Sequence, residues 1–187
     1  MTTTVRFLGS GDSFGSGGRF QTCILVAGSA QSYILDCGAS SLIAMRVQAV
    51  DPNDIDAILL THFHGDHCAG VPFFLMDAML GSKRTKPLFV AGPVGTREHL
   101  ETLREMLFPG SHVMQPKFTL NYVNMEIRRV NDVNGLLVTP YPALHTPGTS
   151  PTMLRVEAEG KVVTYTGDTE WTDDLILAAD GADLLIS

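Results

Sequence analysis

The sequence predicts an α/β protein in which helices cover β-sheets. Two patterns carry this reading. Short apolar, β-branched runs dominate both ends of the chain, and between residues 40 and 108 strands alternate with stretches of helical periodicity. Composition supplies a third observation: 44% of the 187 residues are hydrophobic and 18% are charged, which excludes intrinsic disorder. The length favours one domain, residues 1–187.

In chain order, residues 5–8 form a strand that runs into a glycine-rich loop over 9–18. Strands at 22–27 and 32–36 follow, joined by a hairpin-like turn around Gly28. Residues 40–50 read as a helix because Leu42, Ile43, Met45, Arg46, Val47 and Val50 recur at spacings of three and four; Asp51-Pro52 stops it. A short apolar strand over 56–60 leads straight into a histidine-rich segment. Residues 72–80 are helical in character, and 86–90 form a strand ending in Ala91-Gly92-Pro93. The clearest helix spans 95–108, with Leu100, Leu103, Met106 and Leu107 on one face and His99 on the polar side. Strands are expected at 118–123, 127–130 and 136–140. Residues 153–157 and 162–166 read as a hairpin turned at Glu159-Gly160. Thr172 caps a short helix over 172–179, and 183–186 is a final strand.

Thirteen basic against twenty acidic residues give a net charge of −7, which offers no broad basic footprint, so nucleic acid is disfavoured as a partner. No apolar run approaches the ~18 residues of a membrane span. The first residues lack a secretory pattern, and Cys23, Cys37 and Cys68 form neither a CxxC pair nor a disulfide framework; a cytoplasmic location is expected.

The segment Thr61-His62-Phe63-His64-Gly65-Asp66-His67 holds three of the six histidines and an aspartate. It follows a strand and precedes a helix, the place where α/β folds carry their sites. His62 and His64, two apart on extended chain, point to one side, and Asp66 and His67 turn toward the same space at Gly65. Imidazole and carboxylate are ligands for Zn²⁺, with Mn²⁺ and Fe²⁺ also compatible. His145 in Leu144-His145-Thr146-Pro147 and Asp168 in Gly167-Asp168-Thr169 lie at the ends of two later strands. Alone, each reads as a turn former; together with the histidine segment they read as further ligands. Cys68 is better explained by packing than by thiol chemistry.

The motif HxHxDH, followed by His145 and the GDT at 167–169, resembles the metallo-β-lactamase superfamily, as do the early Gly-Ser-Gly loop and Leu35-Asp36-Cys37-Gly38. The resemblance implies an αββα four-layer sandwich with a dinuclear site, two divalent ions, at one edge of the sheets. His62, His64 and His145 would hold the first metal, Asp66 and His67 the second, and Asp168 would bridge both. Asp36 would fix an imidazole by a hydrogen bond; equally, it reads as a strand-ending turn residue. A hydroxide shared by the metals, with Asp66 beside it, would be the nucleophile. Family members carry one more histidine after a further strand, whereas no histidine follows His145 here, so the chain is expected to lack its C-terminal part.

Asp168 stands where some β-lactamases place a cysteine, so antibiotic hydrolysis is not the favoured chemistry. The nearest branch resembles the phosphodiesterase and tRNA 3′-end endonuclease group. The short interval from His145 to Asp168 has no room for a tRNA-gripping arm, which directs the expectation to a small anionic phosphodiester; a homodimer is implied by resemblance only. Sulfate esters, thioesters and lactones remain open, as does a non-catalytic metal-binding protein with a defective second site.

Overall fold

The structure, a computed structural model, describes residues 2–187. Sheet one contains β1 (Thr4–Gly9), β2 (Cys23–Ala27), β3 (Ser32–Leu35), β4 (Ala57–Leu59), β5 (Leu88–Gly92) and β6 (Leu120–Asn124), in that spatial order. The first three pair antiparallel, and β3 to β6 run parallel. Sheet two contains β7 (Asn131–Val133), β8 (Leu136–Pro142), β9 (Thr152–Ala158), β10 (Lys161–Tyr165) and β11 (Leu184–Ile186). Its order is β11-β10-β9-β8-β7, antiparallel except for the β10–β11 pair.

The strand period of two assigns alternate side chains to two cores. Ile34, Ile58, Leu88 and Val90 face outward from sheet one and pack under α1 (Ser41–Val47), α3 (Gly70–Met76) and α4 (Thr96–Leu107). Leu35, Leu59 and Ala91 face inward and meet Leu136, Val138, Leu154 and Val156 of sheet two. Each such fully buried aliphatic chain contributes about 1.5–3 kcal/mol. On the far side, α5 (Asp173–Ala179) covers sheet two: Thr164 Oγ1 donates to the Ala178 carbonyl at 2.7 Å. The layers are therefore helix, sheet, sheet, helix, as expected. Among the described residues, no helix is long and apolar enough to cross a membrane.

Two expectations are corrected. Residues 127–130 form a turn rather than a strand, with Arg128 at φ 57° donating its N–H to the Pro140 carbonyl at 2.7 Å, and the strand starts instead at Asn131. Helix α1 ends at Val47 and buries Ser41, Ala44 and Met45, leaving Ile43 and Val47 exposed. Small residues at 41 and 44 let the helix lie close, which a count of large apolar residues overlooks. In α1 local apolar spacing was overridden by packing, whereas residues 127–130 are all exposed, so no buried face holds them in a strand.

Candidate metal centre

The loops after β3, β4, β8 and β10 meet at one edge of the two sheets. Beyond β4, Leu60 N–H donates to Ala91 O at 2.8 Å, which keeps the chain extended into Thr61 and His62. The chain then turns into the short helix α2 (Gly65–Cys68), with His64 as its extended N-terminal flank. From below, Cys37 N–H donates to the His67 carbonyl at 2.7 Å. Two glycines permit this close approach. A Cβ on Gly38 would strike the Asp66 carbonyl, and one on Gly70 would strike the Gly38 carbonyl.

Two groups of donor atoms result, each with its atoms within 4.8 Å of one another: His62, His64, His145 and Asp168, and Asp66, His67 and Asp168. Asp168 belongs to both. His62 Nε2 and His145 Nε2 each lie 3.1 Å from His64 Nδ1. His67 Nε2 lies 3.6 Å from Asp66 Oδ2 and 3.3 Å from Asp168 Oδ1.

Behind these donors, the fully buried Asp36 accepts from Thr61 N–H at 2.8 Å and from His67 Nδ1 at 2.6 Å. The Thr61 hydroxyl lies 2.9 Å from Asp36 Oδ2 and 2.9 Å from His62 Nδ1. With the hydroxyl donating to the carboxylate, its oxygen accepts from His62 Nδ1–H. That sets the tautomer, and the His62 Nε2 lone pair faces the cluster. Burial, and then the neighbouring His67, push the His62 pKa down to about 4, so this ring is neutral at neutral pH. Burial opposes charge on His67, but hydrogen bonds to Asp168 and Asp36 outweigh it and hold its pKa at about 10, so a cation held by Nε2 would displace the proton that this nitrogen otherwise shares with Asp168. The hydrogen bond to His67 in turn lowers the Asp168 pKa.

The donor set fits divalent cations. A tetrahedral ion with Zn–N bonds of about 2.0–2.1 Å separates its ligand nitrogens by about 3.3 Å. The 3.1 Å spacings match this. One lone pair on His64 Nδ1 cannot satisfy two neighbours as a hydrogen bond, whereas three lone pairs converging on one cation are satisfied together. The carboxylates of Asp66 and Asp168 complete a hard, anionic side suited to a second ion. A cleft of about 570 Å³ opens beside the donors, lined by His145, Asp168 and the exposed Trp171.

The fold thus brings together all six residues expected to ligate, with Asp36 behind them. Cys68 is buried, and burial pushes its thiol up to about 12, away from nucleophilic chemistry. His112 lies outside both donor groups and pairs with Glu105 at 3.1 Å. His99, read from sequence as surface, is half-buried: its ring stacks on Phe63 at 4.4 Å and its Nε2 lies 3.8 Å from Cys68 Sγ. It braces the histidine loop at both ends. Sequence reasoning missed this brace, the Thr61 relay and Trp171. Only Thr61, directly before the motif, carried a local signal.

The family model of the metallo-beta-lactamase superfamily matches residues 16–185. The chain belongs to the metallo-beta-lactamase superfamily. It is 29% identical over 191 residues to ribonuclease Z of Mycobacterium bovis, covering 97% of this chain and 68% of that protein. Ribonuclease Z of Borrelia duttonii is 32% identical over 108 residues, covering 57% of this chain and 34% of that protein. The chain therefore spans about a third of the length of that relative. Human tRNase Z, short form, superposes with a TM-score of 0.76 at 22% identity, over 98% of this chain and 76% of that one; this likeness shows the fold.

These relatives overturn the expectation that nucleic acid is disfavoured. It rested on the net charge of −7 and on a missing arm. Net charge averages over the whole surface and does not describe the field at one edge, where bound cations would be the largest charges.

Proposed function

We propose that this superfamily member is a metal-dependent phosphodiesterase whose substrate is RNA. The observation that carries the reading is the pair of donor groups joined at Asp168. His62, His64 and His145 would hold one cation, Asp66 and His67 a second, and Asp168 would reach both; zinc suits the donors best. When bound, such ions supply Lewis acidity to a phosphoryl oxygen and lower the pKa of water at the site.

The chain's own residues do the rest. Asp36 and Thr61 keep protons on His67 Nδ1 and His62 Nδ1, so that both Nε2 atoms face the other donors. Asp66, only 8% exposed, is assigned to orient the attacking water and accept its proton at a carboxylate oxygen. Trp171, 69% exposed beside Asp168, offers a face on which a nucleobase stacks. The ribonuclease Z relatives support RNA as the substrate class.

The test incubates zinc- or manganese-equilibrated protein with precursor tRNA, single-stranded RNA and bis(p-nitrophenyl) phosphate. Cleavage of an RNA substrate, abolished in Asp66→Ala and weakened mainly through KM in Trp171→Ala, is expected. Turnover of carboxylic or sulfate esters without phosphodiester cleavage would contradict the proposal.

A further inference from the structure

Two sheets share the first donor group. His62 and His64 follow β4 of sheet one, whereas His145 follows β8 of sheet two. Strands of different sheets share no ladder, so no strand pairing fixes the distance between these ends. The rings nevertheless meet closely. The His145 ring centroid lies 5.2 Å from that of His62 and 4.9 Å from that of His64, each pair at 84°. Nitrogens from two sheets converge in this way only when groups behind them hold the two segments together.

The connection runs through Thr152, the first residue of β9. Its N–H and its hydroxyl both donate to the Thr61 carbonyl, at 3.0 and 2.8 Å. Beside it, Phe63 N–H donates to the Thr149 carbonyl at 3.2 Å. Thr149 belongs to the turn after His145, closed by its hydroxyl donating to the Thr146 carbonyl at 2.7 Å. Residues 61–63 are thereby tied to residues 149–152. Thr152 and Thr61 are both buried, so water does not compete for the bonds between them. Every polar group of Thr61 is then engaged. Its N–H and hydroxyl donate to Asp36, its hydroxyl oxygen accepts from His62 Nδ1, and its carbonyl accepts from Thr152.

We propose that Thr152 is a positioning residue for the first cation site: acting through Thr61, its hydroxyl holds the His62–His64 segment against His145 and keeps His62 Nδ1–H bonded before any ion arrives. This role rests on the reading of the donors as a cation site. A site assembled in advance binds more tightly, because the two segments need no further ordering on binding.

The test compares Thr152→Val, which removes the hydroxyl donor and keeps the branched shape, with Thr152→Ser, which keeps the donor. Both are first shown to be folded by circular dichroism; if Thr152→Val does not fold, Thr152→Ala takes its place. In metal-free, ¹⁵N-labelled protein, the His62 Nδ1–H resonance is assigned by its loss in His62→Gln. It should exchange with water about tenfold faster in Thr152→Val, the loss of one hydrogen bond. Zinc affinity, measured by competition with a chelating dye, should fall about tenfold in the same variant. Thr152→Ser should return both readouts toward the parent. A merely structural threonine would lower the urea midpoint and leave both readouts unchanged, and that result overturns the proposal. So does a Thr152→Ser protein that behaves as Thr152→Val does. A parent that takes up no zinc overturns the cation site and this role with it, whereas equal zinc affinity in parent and Thr152→Val overturns this role alone.

Discussion

Asp36 shows how much of the site rests on one side chain that faces no substrate. It sits at φ 58°, in the left-handed region that aspartate tolerates better than bulkier residues, and its carboxylate gathers Thr61 and His67. Asp36→Ala leaves the Thr61 N–H and His67 without their buried partner, so it should cost about 3–5 kcal/mol in urea unfolding. Zinc affinity, read by competition with a chelating dye, should fall about tenfold to a hundredfold. An unchanged zinc affinity would mean that the hydrogen bond does not orient the imidazole. At this level the sequence was legible where residues are consecutive: HxHxDH names four donors in six positions. His99 was not, because its stack on Phe63 joins segments distant in the chain.

Helices and loops around the site depend on a buried cation that no motif announces. Arg84, 2% exposed, ties the turn before β5 to the loop before β4. Its guanidinium donates to the carbonyls of Pro52, Ile55, Lys86 and Pro87 at 3.2, 2.7, 2.8 and 2.6 Å. These bonds set where β4 and β5 begin, and hence where their ends present the site. Arg84→Met should destabilise by about 3–5 kcal/mol, since buried carbonyls lose charged donors. Arg84→Lys should recover little, because an ammonium cannot reach the planar fan of acceptors. Full recovery by lysine in urea unfolding would refute this. From sequence, Arg84 in Ser82-Lys83-Arg84-Thr85-Lys86 looks like solvated charge. The strands of sheet one were legible because apolar runs between turns have few other uses. The inner face of α1 was legible only at Met45, since Ser41 and Ala44 make the rest of it.

The two sheets are joined at the edge away from the candidate metal ligands by Glu159, in the β9–β10 turn. It accepts from Ser29 Oγ and N–H at 2.6 and 2.9 Å and from Ala30 N–H at 2.9 Å, in the β2–β3 turn. The Ser29 hydroxyl first, then the Ala30 and Ser29 amides, lower the Glu159 pKa from 4.5 to about 2. A depressed carboxylate stabilises the fold above its unfolded pKa and loses that contribution as pH falls through the folded one. Glu159→Gln should therefore melt earlier than the parent above pH 4.5, with the gap closing toward pH 2. A gap that persists at pH 2 would argue against the linkage; circular dichroism melts decide it. The layered architecture was legible because the order of strands and helices leaves few ways to bury both faces of sheet one. The substrate class was not, because net charge and one interval length say little about one edge of the molecule. The central claim is that Asp168 joins two cation sites. Elemental analysis of zinc-equilibrated, desalted protein tests it most directly: the account predicts about two ions per chain in the parent and at most one in Asp168→Ala. One ion or none in the parent, or an unchanged ratio in Asp168→Ala, would contradict it.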